Sequence, residues 1–148
     1  MKKIVLVFVS VFILGSVFSS CTKEGGNGPV DMSLIAGKWL FSRSTITSNG
    51  ITLPYSNPII KNEEGCNKDF IEILLGGIVK NGDYSLNCVF IAKDGTWSQS
   101  GNTININVTG TSFNDTFDVT TLTSTELVLK FNGTHSGQSG TLTLYFTK

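Results

Sequence analysis

Histidine is nearly absent from this chain. The single one in 148 residues, His135, lies in the stretch "NGTHSGQSG", which has the composition of an exposed turn. A triad needs an imidazole between a nucleophile and an orienting carboxylate, so hydrolysis by that route has almost no support. Three cysteines and one histidine also leave little to complete a zinc site. The carboxylates do not fill the gap. Glu63 and Glu64 are neighbours that point different ways, and Asp69 and Glu72 fall on opposite faces of an extended segment. Asp83, Asp94, Asp115 and Asp118 are scattered without the spacing of a calcium loop. No nucleophile elbow, phosphate loop or dinucleotide fingerprint is present. The sequence therefore predicts no enzyme, no cofactor and no metal. An excess of one charge is missing too: 11 basic and 11 acidic residues cancel, and no basic stripe exists to hold nucleic acid.

What is present begins with a leader. Lys2 and Lys3 precede an apolar run from Ile4 to Phe18, then small Ser19 and Ser20, the layout of a cleaved export signal over residues 1–20. The alternative, a membrane-spanning anchor, needs roughly 20 apolar residues, and this run has about 15. The sequence Phe18-Ser19-Ser20-Cys21 resembles the lipobox of bacterial lipoproteins. The resemblance implies that Cys21 becomes an acylated amino terminus. Several acyl chains on one residue anchor stably, because each buried methylene contributes about 0.8 kcal/mol. Residues 21–33 would then form a lipidated, flexible tether, and the membrane would be the first partner. Without the inner-membrane retention aspartate after Cys21, the expected address is the outer membrane of the cell envelope. A secreted protein whose Cys21 is free or in a disulfide is the competing reading. With Cys21 acylated, Cys66 and Cys88 remain as a natural disulfide pair in an oxidising compartment, worth about 3 kcal/mol in the chain-entropy model. Two free thiols are the alternative.

Beyond the tether the pattern is strand and turn. Ile104, Ile106 and Val108 alternate with Asn105 and Asn107, so one face is buried and one is wet. Similar runs predict strands over 38–47, 70–75, 84–92, 95–98, 103–108, 116–121, 126–132 and 141–147, with turns at Gly76-Gly77, Asp94-Gly95 and Gly101-Asn102. In the 84–92 segment Tyr84, Leu86, Cys88 and Phe90 would share one face. Only Met32 to Trp39 could hold a helical turn, capped by Asp31 or Ser33 and stopped by Gly37. The fold class predicted is all-β. Eight short antiparallel strands hide their edges in a sandwich or a closed barrel, and short sequential turns favour an up-and-down barrel.

An ordered series of motifs then acquires meaning: "LIAGKW" at the first strand, Cys66 with "KDFIEIL", Cys88, "DGTWSQSGNTININ", "LTSTELVLKF" and a terminal "TLTLYFTK". It resembles the lipocalin-like lipoprotein domains of Bacteroidetes, over about Leu34 to Lys148. The resemblance implies an eight-stranded calyx over 34–148, with Trp39 as a plug at its closed end. A barrel of this size either holds one small apolar ligand or is filled by side chains. The expected inward set includes Phe41, Tyr84, Leu86, Phe90, Ile104, Phe117, Leu129 and Leu144. Arg43, two residues beyond Phe41, would share that face. Phe41, Arg43, Tyr84, Phe90 and Phe117 are therefore the candidate ligand-lining residues. The function expected is carriage of a small hydrophobic ligand by a lipid-anchored envelope protein. The alternative is a structural module that docks on another envelope protein or a glycan through its outer face or through residues 48–65. That long connection is expected to be a surface loop, with a lid as the other possibility.

Overall fold

A computed structural model describes residues 30–56, 60–111, 113–135 and 138–148. The expected signal peptide and Cys21 lie outside the described residues, as does the tether up to residue 29. Residues 30 to 33, assigned to the tether on sequence, pack on the barrel: the Val30 N–H reaches the Asn102 side chain at 3.4 Å, and Met32–Leu34 forms a short 3-10 turn capped by Asp31.

Nine strands follow among the described residues: β1 Gly37–Ser48, β2 Ile51–Pro54, β3 Phe70–Leu74, β4 Ile78–Tyr84, β5 Phe90–Ser100, β6 Thr103–Val108, β7 Asn114–Leu122, β8 Glu126–His135 and β9 Gln138–Thr147. Neighbours pair antiparallel in chain order from β3 to β9, and β1 closes the ring by pairing with both β3 and β9. The result is an eight-stranded, up-and-down barrel. The ninth strand, β2, folds back on the far half of β1 as a hairpin flap, with Ile46 opposite Leu53 and Ser48 opposite Ile51.

The count of eight barrel strands is right, but one member was misplaced. The predicted 84–92 strand does not exist. Tyr84 ends β4, residues Leu86–Cys88 make a 3-10 turn, and Phe90 begins β5. Asn87 and Cys88 have φ of +65° and +59°, which extended backbone cannot accommodate. Asp94 and Gly95, expected to turn, lie in mid-strand opposite Lys80 and Val79. The strand not predicted is Ile78–Tyr84.

The alternation places one set of side chains inside. Ile71, Ile73, Val79, Ile104, Ile106, Val108, Leu127, Leu129, Leu142 and Leu144 are buried together with Trp39, Phe113, Phe117 and Phe146. Each such side chain contributes about 1.5–3 kcal/mol when removed from water. Phe113 stacks on Phe117 with centroids 5.1 Å apart, and Phe117 meets Phe131 edge-on at 5.0 Å. A side chain lining a water-sized void keeps accessible surface, yet these four large aromatics have essentially none. They fill the lumen.

The barrel has two unlike ends. The turns at residues 75–77, 101–102 and 123–125, the 3-10 turn before β1 and Lys148 gather at one end. There the Trp39 Nε1–H donates to the Ile35 carbonyl at 2.8 Å, and Lys148 Nζ lies 4.0 Å from the Trp39 ring. At the other end stand the β1–β2 flap, residues 60–69, the turn 85–89 and the facing ends of β8 and β9.

Candidate binding cleft at the barrel mouth

The site begins with an irregularity in β1. Phe41 pairs with Phe146, but the next partner of Tyr145 is Arg43, so Ser42 is an extra residue. A bulge of one residue resets which face the strand presents. Trp39 and Phe41 point inward before it, and Ser44 and Ile46 after it. Arg43, expected to share the inward face, is turned outward. Its guanidinium carbon sits 3.6 Å from the Tyr145 ring centroid. The expectation failed because strict period two assumes an unbroken ladder.

Beside the bulge lies a cleft of about 350 Å³, open to solvent and lined by Phe41, Ser42, Arg43 and Ser44 on one wall, and Pro54, Tyr55, Ser56, Lys61 and Asn62 on the other. The second wall belongs to the segment read as a surface loop. Part of that segment is strand β2, and part is pinned into the structure. Ile60 is buried in the core. Asn62 donates to the Phe41 carbonyl at 2.9 Å and accepts from the Asp69 N–H at 2.9 Å. The Ser44 hydroxyl donates to the Tyr55 carbonyl, and the Tyr55 N–H donates to the Ser44 carbonyl at 3.0 Å.

Asp69 ties the wall to the barrel. One carboxylate oxygen accepts from the Lys61 N–H at 3.1 Å and the other from the Tyr84 N–H at 2.8 Å. Its own carbonyl accepts from the Phe41 N–H at 2.7 Å. The side chain is buried. Burial pushes its carboxyl up to about 6, against the two backbone hydrogen bonds, and the neighbouring Asp83 adds to the rise. The Cys66–Cys88 disulfide joins the same segment to the turn before β5.

The remaining sequence candidates fall elsewhere. Trp39 is buried at the closed end. Phe117 is part of the packed lumen, not the wall of a cavity. Tyr84 and Phe90 are not inward at all. They stand opposite each other on the outer face, ring centroids 5.0 Å apart, and Phe90 is 49% exposed. Phe90 also stacks at 6.1 Å on Phe70, which lies over Gly82 with the Lys38 ammonium 3.7 Å from its ring. Leu86, expected inside, is exposed in the turn. Among the described residues no group of three or more His, Cys, Asp or Glu is placed to hold a metal.

Sequence reasoning missed Ser44, Tyr55, Lys61 and Asn62 as cleft residues. One signal was available. Asn49-Gly50 is the favoured pair for a tight hairpin turn, and both residues take positive φ, +50° and +78°. That pair announces β2, and β2 positions Pro54 and Tyr55.

Residues 35–129 match the lipocalin-like domain family. The chain belongs to that family. Among solved structures, the lipocalin-like domain resembles a lipocalin-like protein from Bacteroides uniformis, with a TM-score of 0.53 and 18% identity over 78% of this chain and 98% of the other. A protein from Bacteroides eggerthii superposes with a TM-score of 0.50 and 14% identity, over 76% and 98% of the two chains. Apocrustacyanin C1 aligns with a TM-score of 0.54 and 13% identity, covering 80% of this chain and 62% of the other. At these identities the likeness concerns the fold. No protein of curated function matches the chain.

Proposed function

We propose that this lipocalin-like domain is a lipid-anchored protein of the cell envelope, moored to the outer membrane through Cys21, and that it holds a small hydrophobic ligand at the barrel mouth. The lumen cannot serve, since Trp39, Phe113, Phe117 and Phe146 occupy it. The observation that carries the reading is the cleft beside the β1 bulge, where Phe41, Pro54 and Tyr55 offer apolar surface next to hydroxyl and amide groups. Apolar walls with a few placed polar groups are the usual makeup of a small-molecule site. The other face of the flap is apolar as well: Ile51 and Leu53, paired with Ser48 and Ile46 and opposite in direction to Pro54, are 63% and 57% exposed.

The test is a titration of the full-length protein, extracted from membranes, with a hydrophobic fluorescent probe, alongside mass analysis of co-purified lipid. Saturable binding weakened by Pro54→Ser and Tyr55→Ala supports the reading. Absence of saturable binding and of any co-purified small molecule overturns it. Mass analysis of the same material reports acylation of Cys21, and its absence removes the anchor.

A second reading has its own observation. Leu86 and Val89 flank Phe90 on the outer rim and are 73% and 57% exposed. A contiguous apolar patch of this kind suits docking on another envelope component. Cross-linking in intact cells, wild type against Leu86→Ser/Phe90→Ser, distinguishes it from ligand carriage.

A further inference from the structure

The closed pole of the barrel carries an apolar rim of its own. Leu75, in the turn between β3 and β4, is 82% exposed, the highest value for a large apolar side chain among the described residues. Ile78, on the far side of that turn, and Leu34, in the 3-10 turn before β1, are exposed too. The register brings them to one edge: Gly37 stands opposite Ile73, and Leu34 and Leu75 lie just beyond that pair on their two chains. The β3–β4 turn is held out by its backbone. Gly76 and Gly77 take φ of +90° and +82°. The Trp97 N–H donates to the Gly77 carbonyl at 2.9 Å, and its indole N–H donates to the Leu74 carbonyl at 2.8 Å. Exposed apolar side chains grouped in this way mark a contact surface.

The point of chain entry tells what that surface meets. Val30 is fastened at this pole through Asn102. Cys21 lies nine residues earlier, a distance of at most about 32 Å even for fully extended chain. The mouth is far by comparison, since β9 runs about 33 Å along its ten residues from mouth to pole. An acyl chain on Cys21 would therefore keep this pole, and not the cleft, beside the bilayer. The rim has no cationic surplus. Lys38 stands opposite Glu72, and Lys148 shares the end with Asp31 and Glu126.

We propose that the closed pole seats on the lipid surface, with Leu75, Ile78 and Leu34 in the boundary between head groups and acyl chains. The proposal rests on the lipid anchor read for Cys21. Apolar side chains of a surface-bound element reach about 5–10 Å into that boundary. Three of them bind weakly alone, but the anchor makes the contact intramolecular, and a weak contact then holds. The contact is apolar, so added salt leaves it in place.

The experiment places the full-length protein, extracted from membranes, in phosphatidylcholine vesicles whose lipids are brominated near the top of the acyl chains. Bromine quenches indole emission at close approach. Leu75→Trp is compared with Leu86→Trp, which puts the same reporter in the exposed turn at the mouth, and the wild-type emission of Trp39 and Trp97 is subtracted from both. The added emission of Leu75→Trp is expected to fall about twofold, in low and in raised salt, while that of Leu86→Trp stays unchanged. Both positions are exposed, so both variants should fold, which circular dichroism verifies. Equal quenching of the two reporters means that neither pole is preferred, and it overturns the proposal. An unquenched Leu75→Trp on protein whose Cys21 is acylated by mass analysis also overturns it and leaves the anchor standing. If Cys21 carries no acyl chain, the anchor and the docking fall together.

Discussion

At the closed end Trp39 and Trp97 donate their indole N–H groups to the carbonyls of Ile35 and Leu74, each at 2.8 Å, and Lys148 reaches the Ala36 carbonyl at 3.1 Å. Large side chains there finish the barrel by packing and by satisfying stray backbone groups. At the mouth the corresponding work is done by a carboxylate, a carboxamide and a disulfide: Asp69, Asn62 and Cys66–Cys88. The two ends therefore draw stability from different sources. Apolar packing is insensitive to pH and redox state, whereas the polar clasp at the mouth responds to both. A lesion at the closed end should loosen the whole barrel. One at the mouth should loosen residues 60–69 and the cleft first.

Perturbations ranked by expected size sharpen this contrast. Trp39→Ala should cost about 3–5 kcal/mol in global stability, because it opens a cavity in the packed lumen and strands the Ile35 carbonyl. Equilibrium urea unfolding measures it, and a loss under 1 kcal/mol would remove Trp39 from its role. Removing the disulfide with Cys66→Ser/Cys88→Ser should cost about 3 kcal/mol by the loop-entropy argument. Hydrogen exchange should then rise first in residues 60–69 and 85–89, and uniform acceleration around the barrel would erase the distinction between the ends.

Next in size is the effect of pH on Asp69. Its carboxyl is raised to about 6 from an ordinary 3.8, so between these values the folded chain holds a proton that the unfolded chain does not. This group therefore opposes folding above pH 6 and gains stability as pH falls toward 4, by on the order of 2 kcal/mol. Asp69→Asn should remove that slope from a plot of stability against pH. An unchanged slope would place its origin elsewhere. Asp31 contributes with the opposite sign, since hydrogen bonds from the Ser33 hydroxyl and N–H lower its carboxyl. Smallest of all is Tyr145→Ala, which deprives Arg43 of its stacking partner on the outer surface. It should cost under about 1 kcal/mol of stability.

The same contrast separates what the sequence disclosed from what it concealed. Strands β6, β8 and β9 follow clean alternation, and their inward residues Ile104, Leu129 and Leu144 are those the pattern selects. Trp39 lies at the closed end, where the family resemblance puts it. The mouth defeats the pattern in three ways. Ser42 inserts a residue and reverses the face of Arg43. Tyr84, Leu86 and Phe90 mimic a strand, but the backbone at Asn87 and Cys88 is left-handed. Asn81-Gly82-Asp83 has the composition of a turn yet lies within β4. A Cβ on Gly82 would come within 2.1 Å of the Phe70 ring, so the glycine clears space for an aromatic that packs across the strand. The Asp69–Asn62 clasp follows no strand or turn pattern: Lys61 and Asn62 are close to Asp69 in sequence, but Phe41 and Tyr84 reach it only once β1, β3 and β4 have paired.

The Val30 N–H bonds to Asn102, and the Lys148 N–H to the Thr125 carbonyl, both within turns at the end away from the cleft. Chain entry and chain exit thus share one pole of the barrel. Whatever is joined ahead of Val30, whether a fatty anchor, an affinity handle or a solid support, pulls on that pole and leaves the opposite one facing outward. A protein immobilised by either end would therefore present its cleft to the surrounding solution, already aimed at anything arriving from there.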